Sequence, residues 1–123
     1  MTDAPLSENE RVALRRELLA ERGRVAHQLD ALVRTFDELV AAADLEPPDD
    51  EHDPDGTTAY ERAQVTSLAT SSRARRDDLD RAIAMMDGGA YGTCEVCDRP
   101  IARERLQAVL GTRRCVTCAS VAS

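Results

Sequence analysis

The sequence predicts a mainly α-helical protein: a long antiparallel helical hairpin with coiled-coil packing, followed by a small four-cysteine metal module. Two seven-residue apolar seams, separated by an acidic break rich in proline, predict the hairpin. Two Cys-x-x-Cys pairs near the C-terminus predict the module. The composition agrees. Aromatic residues are 2% of the 123 residues (Phe36, Tyr60 and Tyr91, with no Trp), and charged residues are 32%. A thick core draws much of its buried area from aromatic rings, so an enclosed substrate pocket is not expected. The chain is also too short for a doubly wound nucleotide fold or a barrel enzyme. The expected division is residues 1–87 for the hairpin, with an acidic tip at 46–57, and residues 88–123 for the module.

The first helix opens at Ser7-Glu8-Asn9-Glu10. The Ser7 hydroxyl can accept from the amide three residues on, and Glu10 can reach back to the Ser7 amide, a capping box. Apolar residues then recur every seven positions at Leu18, Val25, Leu32 and Leu39, with Leu29 and Phe36 four after Val25 and Leu32. This is a narrow seam of coiled-coil type. The helix should end near Leu45, because Pro47-Pro48 cannot continue it.

The connector, Glu46–Gly56, carries Asp49, Asp50, Glu51, Asp53 and Asp55 among three prolines. Composition alone makes it a solvated loop; the sharper reading is a functional tip. The second seam runs Val65, Leu68, Ser72, Leu79, Ala82 and Met86, with Arg75 in the gap, and Gly88-Gly89 ends it. Helices of about 38 and 29 residues would run roughly 57 and 44 Å. Each has one apolar stripe and cannot bury it alone, so each is expected to cover the other within one chain. The alternatives are an ordinary bundle or a parallel homodimer.

Cys94-Glu95-Val96-Cys97 and Cys115-Val116-Thr117-Cys118 are two matched pairs, 17 residues apart. Two thiolates two residues apart can turn onto one ion, and two such pairs complete a tetrahedral four-sulfur shell. Soft thiolates select zinc or an iron centre over magnesium or calcium. Four protein ligands leave no position for a catalytic water, so the metal is expected to be structural and the chain is not read as an enzyme. Ile101, Leu106, Val109 and Leu110 form too small a core to fold without an ion. A redox dithiol or disulfides are the competing readings, and neither explains two matched pairs. His27 reads as a surface side chain. His52 has no partner of matching spacing, and Asp49, Asp53 and Asp55 lack the spacing of a calcium loop.

The net charge is −7, and residues 44–55 alone hold seven acids and no base. Residues 88–123 are net +2, with Arg99, Arg103, Arg105, Arg113 and Arg114. Duplex DNA binding needs a basic footprint along a face, whereas an acidic tip suits a basic protein pocket or the neighbourhood of a metal ion. No apolar run reaches the ~18 residues of a membrane span. The N-terminus lacks the basic and apolar regions of a secretory signal. The chain is read as cytoplasmic, where thiols stay reduced.

Gly89-Ala90-Tyr91-Gly92-Thr93-Cys94-Glu95-Val96-Cys97, then Pro100-Ile101, Arg105-Leu106, Ala108 and Cys115-Val116-Thr117-Cys118, resemble the C4-type zinc finger of the DksA/TraR family of bacterial RNA polymerase-binding transcription regulators. The motif match covers about 30 residues, and the hairpin matches in pattern. The resemblance implies one structural zinc on the four cysteines. It also implies a monomer that inserts its hairpin into the polymerase secondary channel and changes initiation without sequence-specific DNA binding. The nearest counterparts of the family's tip pattern are Asp53, Asp55 and Ala59. Departures are Asp98 in place of a glycine, Leu110 in place of a proline, and only five residues after Cys118, which leaves at most a stub of the C-terminal helix. Asp77, Asp78 and Asp80 stand where some members carry a basic cluster that helps bind guanosine tetraphosphate. The alternative functions are a zinc-ribbon DNA-binding protein and a thiol-based redox sensor.

Overall fold

The structure is a computed structural model that describes residues 6–45 and 54–121. It contains four helices: α1 (Glu8–Leu45), α2 (Pro54–Asp87), α3 (Arg103–Ala108) and α4 (Val116–Val121). Among the described residues there is no strand, only a single antiparallel bridge between Thr93 and Pro100. The chain forms two compact units, one of Met1–Gly23 with Asp77–Ser123 and one of Arg24–Arg76.

In the first unit the capping box forms as expected. The Glu10 amide donates to Ser7 Oγ at 3.1 Å and the Ser7 amide to Glu10 Oε1 at 2.9 Å. The start of α1 lies antiparallel to the end of α2. Arg15 pairs with Asp87 at 2.8 Å, and Arg22 pairs with Asp80. Seven residues forward on α1 are therefore matched by seven backward on α2, two turns of each helix. Leu14, Leu18, Leu79, Ala82 and Met86 are buried. Leu14 extends the expected α1 seam by one turn.

The end of α2 is set by glycine. Ala90 N–H donates to the Met85 carbonyl (2.8 Å) and Gly89 N–H to that of Met86 (3.1 Å). These are the two bonds of a Schellman motif, and it needs a left-handed residue at Gly89, whose φ is +81°.

In the second unit Val25, Leu29, Ala69 and Ser72 are buried, while Leu32, Phe36, Leu39 and Val65 are half-buried. Leu32, Phe36, Val65 and Ala69 line one open cavity of about 340 Å³. Here too, residues one turn apart on α1 share an apolar surface with residues one turn apart on α2.

Two details differ from the sequence reading. Leu68, expected in the seam, is 47% exposed, and Ala69 is buried instead. The seam steps 65, 69, 72 rather than 65, 68, 72. On either step Ser72 stays on the inner face, and the small Ala69 is the residue that fits against α1. The connector reading also ran to Gly56, whereas α2 starts at Pro54. Proline suits the first turn of a helix, where its missing N–H has no intrahelical partner anyway.

Candidate metal centre

The cysteine module is built on backbone bonds between short turns. Cys94 N–H donates to the Arg99 carbonyl and Ile101 N–H to the Gly92 carbonyl, both at 2.8 Å. These bonds make a narrow ribbon that folds Cys94–Cys97 into a knuckle. Asp98 closes it at φ +63°. Glycine adopts that backbone at no steric cost, and Asp is among the few other residues that tolerate it. The departure from the family's glycine is therefore one the backbone can accept. Tyr91, Ile101 and Leu106 are buried beside the knuckle. The core expected from sequence is thus only partly realised, because Val109 is 43% exposed. The second knuckle starts at the N-terminus of α4, with Cys118 N–H pointing at Cys115 Sγ (3.5 Å). In the first, Val96 N–H points at Cys94 Sγ (3.4 Å).

The four sulfurs of Cys94, Cys97, Cys115 and Cys118 all lie within 4.8 Å of one another. Those of Cys97 and Cys115 are 3.8 Å apart. A zinc–sulfur bond of ~2.3 Å in a tetrahedron sets an edge of about 3.8 Å, so this edge has the length the ion requires. It is far too long for a disulfide, at ~2.05 Å, and all four cysteines are free thiols. Four thiols able to hold one metal ion are therefore gathered where the spacing predicted.

Their acidities are split. Burial pushes the Cys94 thiol up, but the backbone N–H groups of Cys115, Cys97 and Val96 together outweigh it and bring the thiol down to about 6. At Cys115 the Cys118 N–H is the main influence, and it lowers the thiol against burial. Cys118 is pushed up to about 12, first by the neighbouring Cys115 sulfur and then by burial. Thiolates so crowded cannot all ionise without a cation, and a bound divalent ion removes that obstacle.

Four of the module's five arginines are bonded within the protein, and Arg99 is exposed. Arg103 pairs with Glu10, so one carboxylate both caps α1 and holds the start of α3. Arg105 Nε donates to the Arg114 carbonyl (2.9 Å). Arg113 binds Glu95 at 2.6 Å and Asp78 at 2.8 Å, and Arg114 binds Glu95 at 3.2 Å. In sequence these arginines read as one basic cluster, and their partners are not apparent. Glu10, Asp78 and Glu95 lie 93, 35 and 18 residues away from them, and no local spacing reveals such pairs.

Of the expected tip residues, Asp53 lies outside the described residues, as does His52. Asp55 is the second residue of α2, and Ala59 is an exposed residue of its second turn. His27 is exposed on α1, as expected.

A helical hairpin joined to a four-thiol knuckle module defines the class, a helical protein carrying a C4-type zinc finger. Residues 89–123 match the family model of the prokaryotic dksA/traR C4-type zinc finger, in keeping with the resemblance read from its motifs. In fold, the chain is similar to transcription factor DksA2 from Pseudomonas aeruginosa. The TM-score is 0.76 and the identity 19%, over 93% of this chain and 83% of that one. In sequence it is similar to an uncharacterized protein of Aquifex aeolicus (strain VF5), 33% identical over 64 residues. That match covers 52% of this chain and 44% of the relative, so the chain spans less than half the length of that relative. No helix among the described residues is long and apolar enough to cross a membrane.

Proposed function

We propose that the chain is a DksA/TraR-type transcription regulator that acts by contact with RNA polymerase. In this reading Cys94, Cys97, Cys115 and Cys118 bind one structural zinc, and residues 88–123 form the metal module. Residues 1–87 form an arm that enters the polymerase secondary channel as a monomer. The acidic tip at 46–57, with Asp53, Asp55 and Ala59, approaches the active site. Carboxylates there can pair with basic side chains or bias the surroundings of the catalytic metal.

The observation that carries the reading is the combination of a DksA-like fold over 93% of the chain with a C4 finger of the matching class. The charge pattern supports it, because the excess acid lies at one connector. The DNA-binding alternative loses ground for a specific reason. Arg103, Arg105, Arg113 and Arg114, four of the five arginines that with Arg99 would supply its basic footprint, are bonded to Glu10, the Arg114 carbonyl, Glu95 and Asp78. Those bonds compete with phosphate for the guanidinium donors.

A photo-crosslinking residue at Ala59, which is exposed, tests the placement. On irradiation with core polymerase it should label the walls of the secondary channel, while the same residue at Val116, exposed on the module, should label a different surface. Labelling of the channel by neither position, or of duplex DNA by Val116 without polymerase, would contradict the proposal.

A further inference from the structure

The two knuckles are 17 residues apart in sequence, and each supplies only half of a four-thiolate shell. Before an ion arrives, crowding four sulfurs is unfavourable, so other groups must hold the halves together. One residue is bonded in a way that does this. Glu95 stands inside the first knuckle. Its amide donates to the Arg113 carbonyl at 2.9 Å. Its carboxylate accepts Arg113 Nη1 on one oxygen (2.6 Å) and Arg114 Nε on the other (3.2 Å). Arg113 and Arg114 directly precede Cys115, so these three bonds join the first knuckle to the chain that enters the second.

The clasp is anchored further. Arg113 Nη2 donates to Asp78 Oδ1 on α2 at 2.8 Å. The Arg114 carbonyl accepts from Thr112 Oγ1 (3.1 Å) and from Arg105 Nε (2.9 Å). The Arg113 side chain is only 13% exposed and that of Glu95 25%. Arg114 and Asp78 are 43% and 54% exposed, so within the clasp the Glu95–Arg113 pair is the least screened.

We propose that Glu95, gripped by Arg113 and Arg114, is a positioning residue of the metal centre. It sets the separation of the two Cys-x-x-Cys knuckles so that their sulfurs meet at tetrahedral spacing, and it slows loss of the ion. Asp78 fixes the clasp to α2. The proposal rests on the zinc reading above. It acts through the chain that carries Cys94 and Cys115, and loss of a group that orients metal ligands commonly changes metal binding 10- to 100-fold.

The test uses full-length protein loaded with zinc. Wild type, Glu95→Ala and Glu95→Gln are mixed with excess chromogenic chelator and zinc transfer is timed, with far-UV circular dichroism on the same samples. Glu95→Ala should release zinc about tenfold faster or more while helicity is retained, and Glu95→Gln, which can still accept hydrogen bonds, should fall between. Cobalt(II) loading adds a readout that a purely structural role would not move. The d–d absorption of the four-thiolate ion should change in Glu95→Ala and recover largely in Glu95→Gln. Release from Glu95→Ala at the wild-type rate, with an unchanged cobalt spectrum, would overturn the proposal. If Glu95→Ala loses helicity, Glu95→Gln and Arg114→Ala decide by the same rate criterion. Wild-type protein that takes up no zinc would defeat the metal reading itself, a result distinct from failure of the clasp.

Discussion

Gly23 lies inside the 38-residue helix α1, at an exposed position. A Cβ built there meets nothing within 4 Å, and the backbone is not in the left-handed region. Neither packing nor backbone geometry calls for glycine. Its cost in a helix interior is about 1 kcal/mol relative to Ala, and Ala also restricts the unfolded chain. With no steric penalty to offset these gains, Gly23→Ala should stabilise α1 by about 1 kcal/mol. That corresponds to a rise in melting temperature of roughly 3–5 °C for a chain of this size. Because the chain forms two compact units, a single melting curve can mix two transitions. Amide hydrogen exchange is therefore the sharper assay, and protection of the amides at 24–27 should increase about fivefold where local opening governs exchange. The contrasting variant is Gly89→Ala. There φ is +81° within the helix-ending motif, so a side chain costs about 1 kcal/mol or more. Unchanged or lower protection in Gly23→Ala would refute the reasoning, since it would require a role for Gly23 that open space around its Cβ denies.

Three further outcomes follow from the geometry. Leu18→Ala removes a side chain with no exposed surface and should destabilise by about 2–5 kcal/mol in urea unfolding, whereas Leu68→Ala should cost well under 1 kcal/mol; equal losses would restore the seam register first read from the sequence. Asp98→Gly should leave stability within about 1 kcal/mol, because relief of the positive φ is offset by a freer unfolded chain, while Asp98→Val should lower it by about 1–2 kcal/mol, as thermal denaturation of the zinc-loaded protein would reveal. The hydrogen bond from Arg15 holds the Asp87 carboxyl below its ordinary value of 3.8. A carboxyl lowered on folding contributes stability above the unfolded pKa and loses it as pH falls through the folded one. The gap between wild type and Asp87→Asn should therefore be constant above about pH 5 and close steadily below 3.8 in acid titrations of stability.

The parts that could be read from the chain were those fixed by neighbours in sequence. The Ser7–Glu10 capping box, the stop at Gly88-Gly89 and the two Cys-x-x-Cys turns each depend on residues two to five apart, and all three formed as expected. The α1 seam was legible for the same reason, because Leu18, Val25 and Leu29 repeat on one side of a single helix. The α2 seam was harder. Leu68 and Ala69 are adjacent, and hydropathy favours leucine, but the choice is made by the space left beside α1, which only the paired helices define. In the sequence Pro54 reads as part of the break, although proline opens a helix as readily as it ends one. The Glu95–Arg113–Asp78 contacts were invisible because they join three segments.

The central claim is that the tip acts on polymerase while the rest of the chain holds it in place. The direct measurement is the lifetime of promoter open complexes, timed after competitor challenge, with wild type and with the double variant Asp53→Asn, Asp55→Asn. Competition binding to polymerase and zinc content are recorded on the same samples. The account predicts that wild type changes the lifetime, and that the double variant keeps zinc and most of its affinity for polymerase yet loses the effect. A double variant that alters the lifetime as strongly as wild type, at equal occupancy, would contradict it.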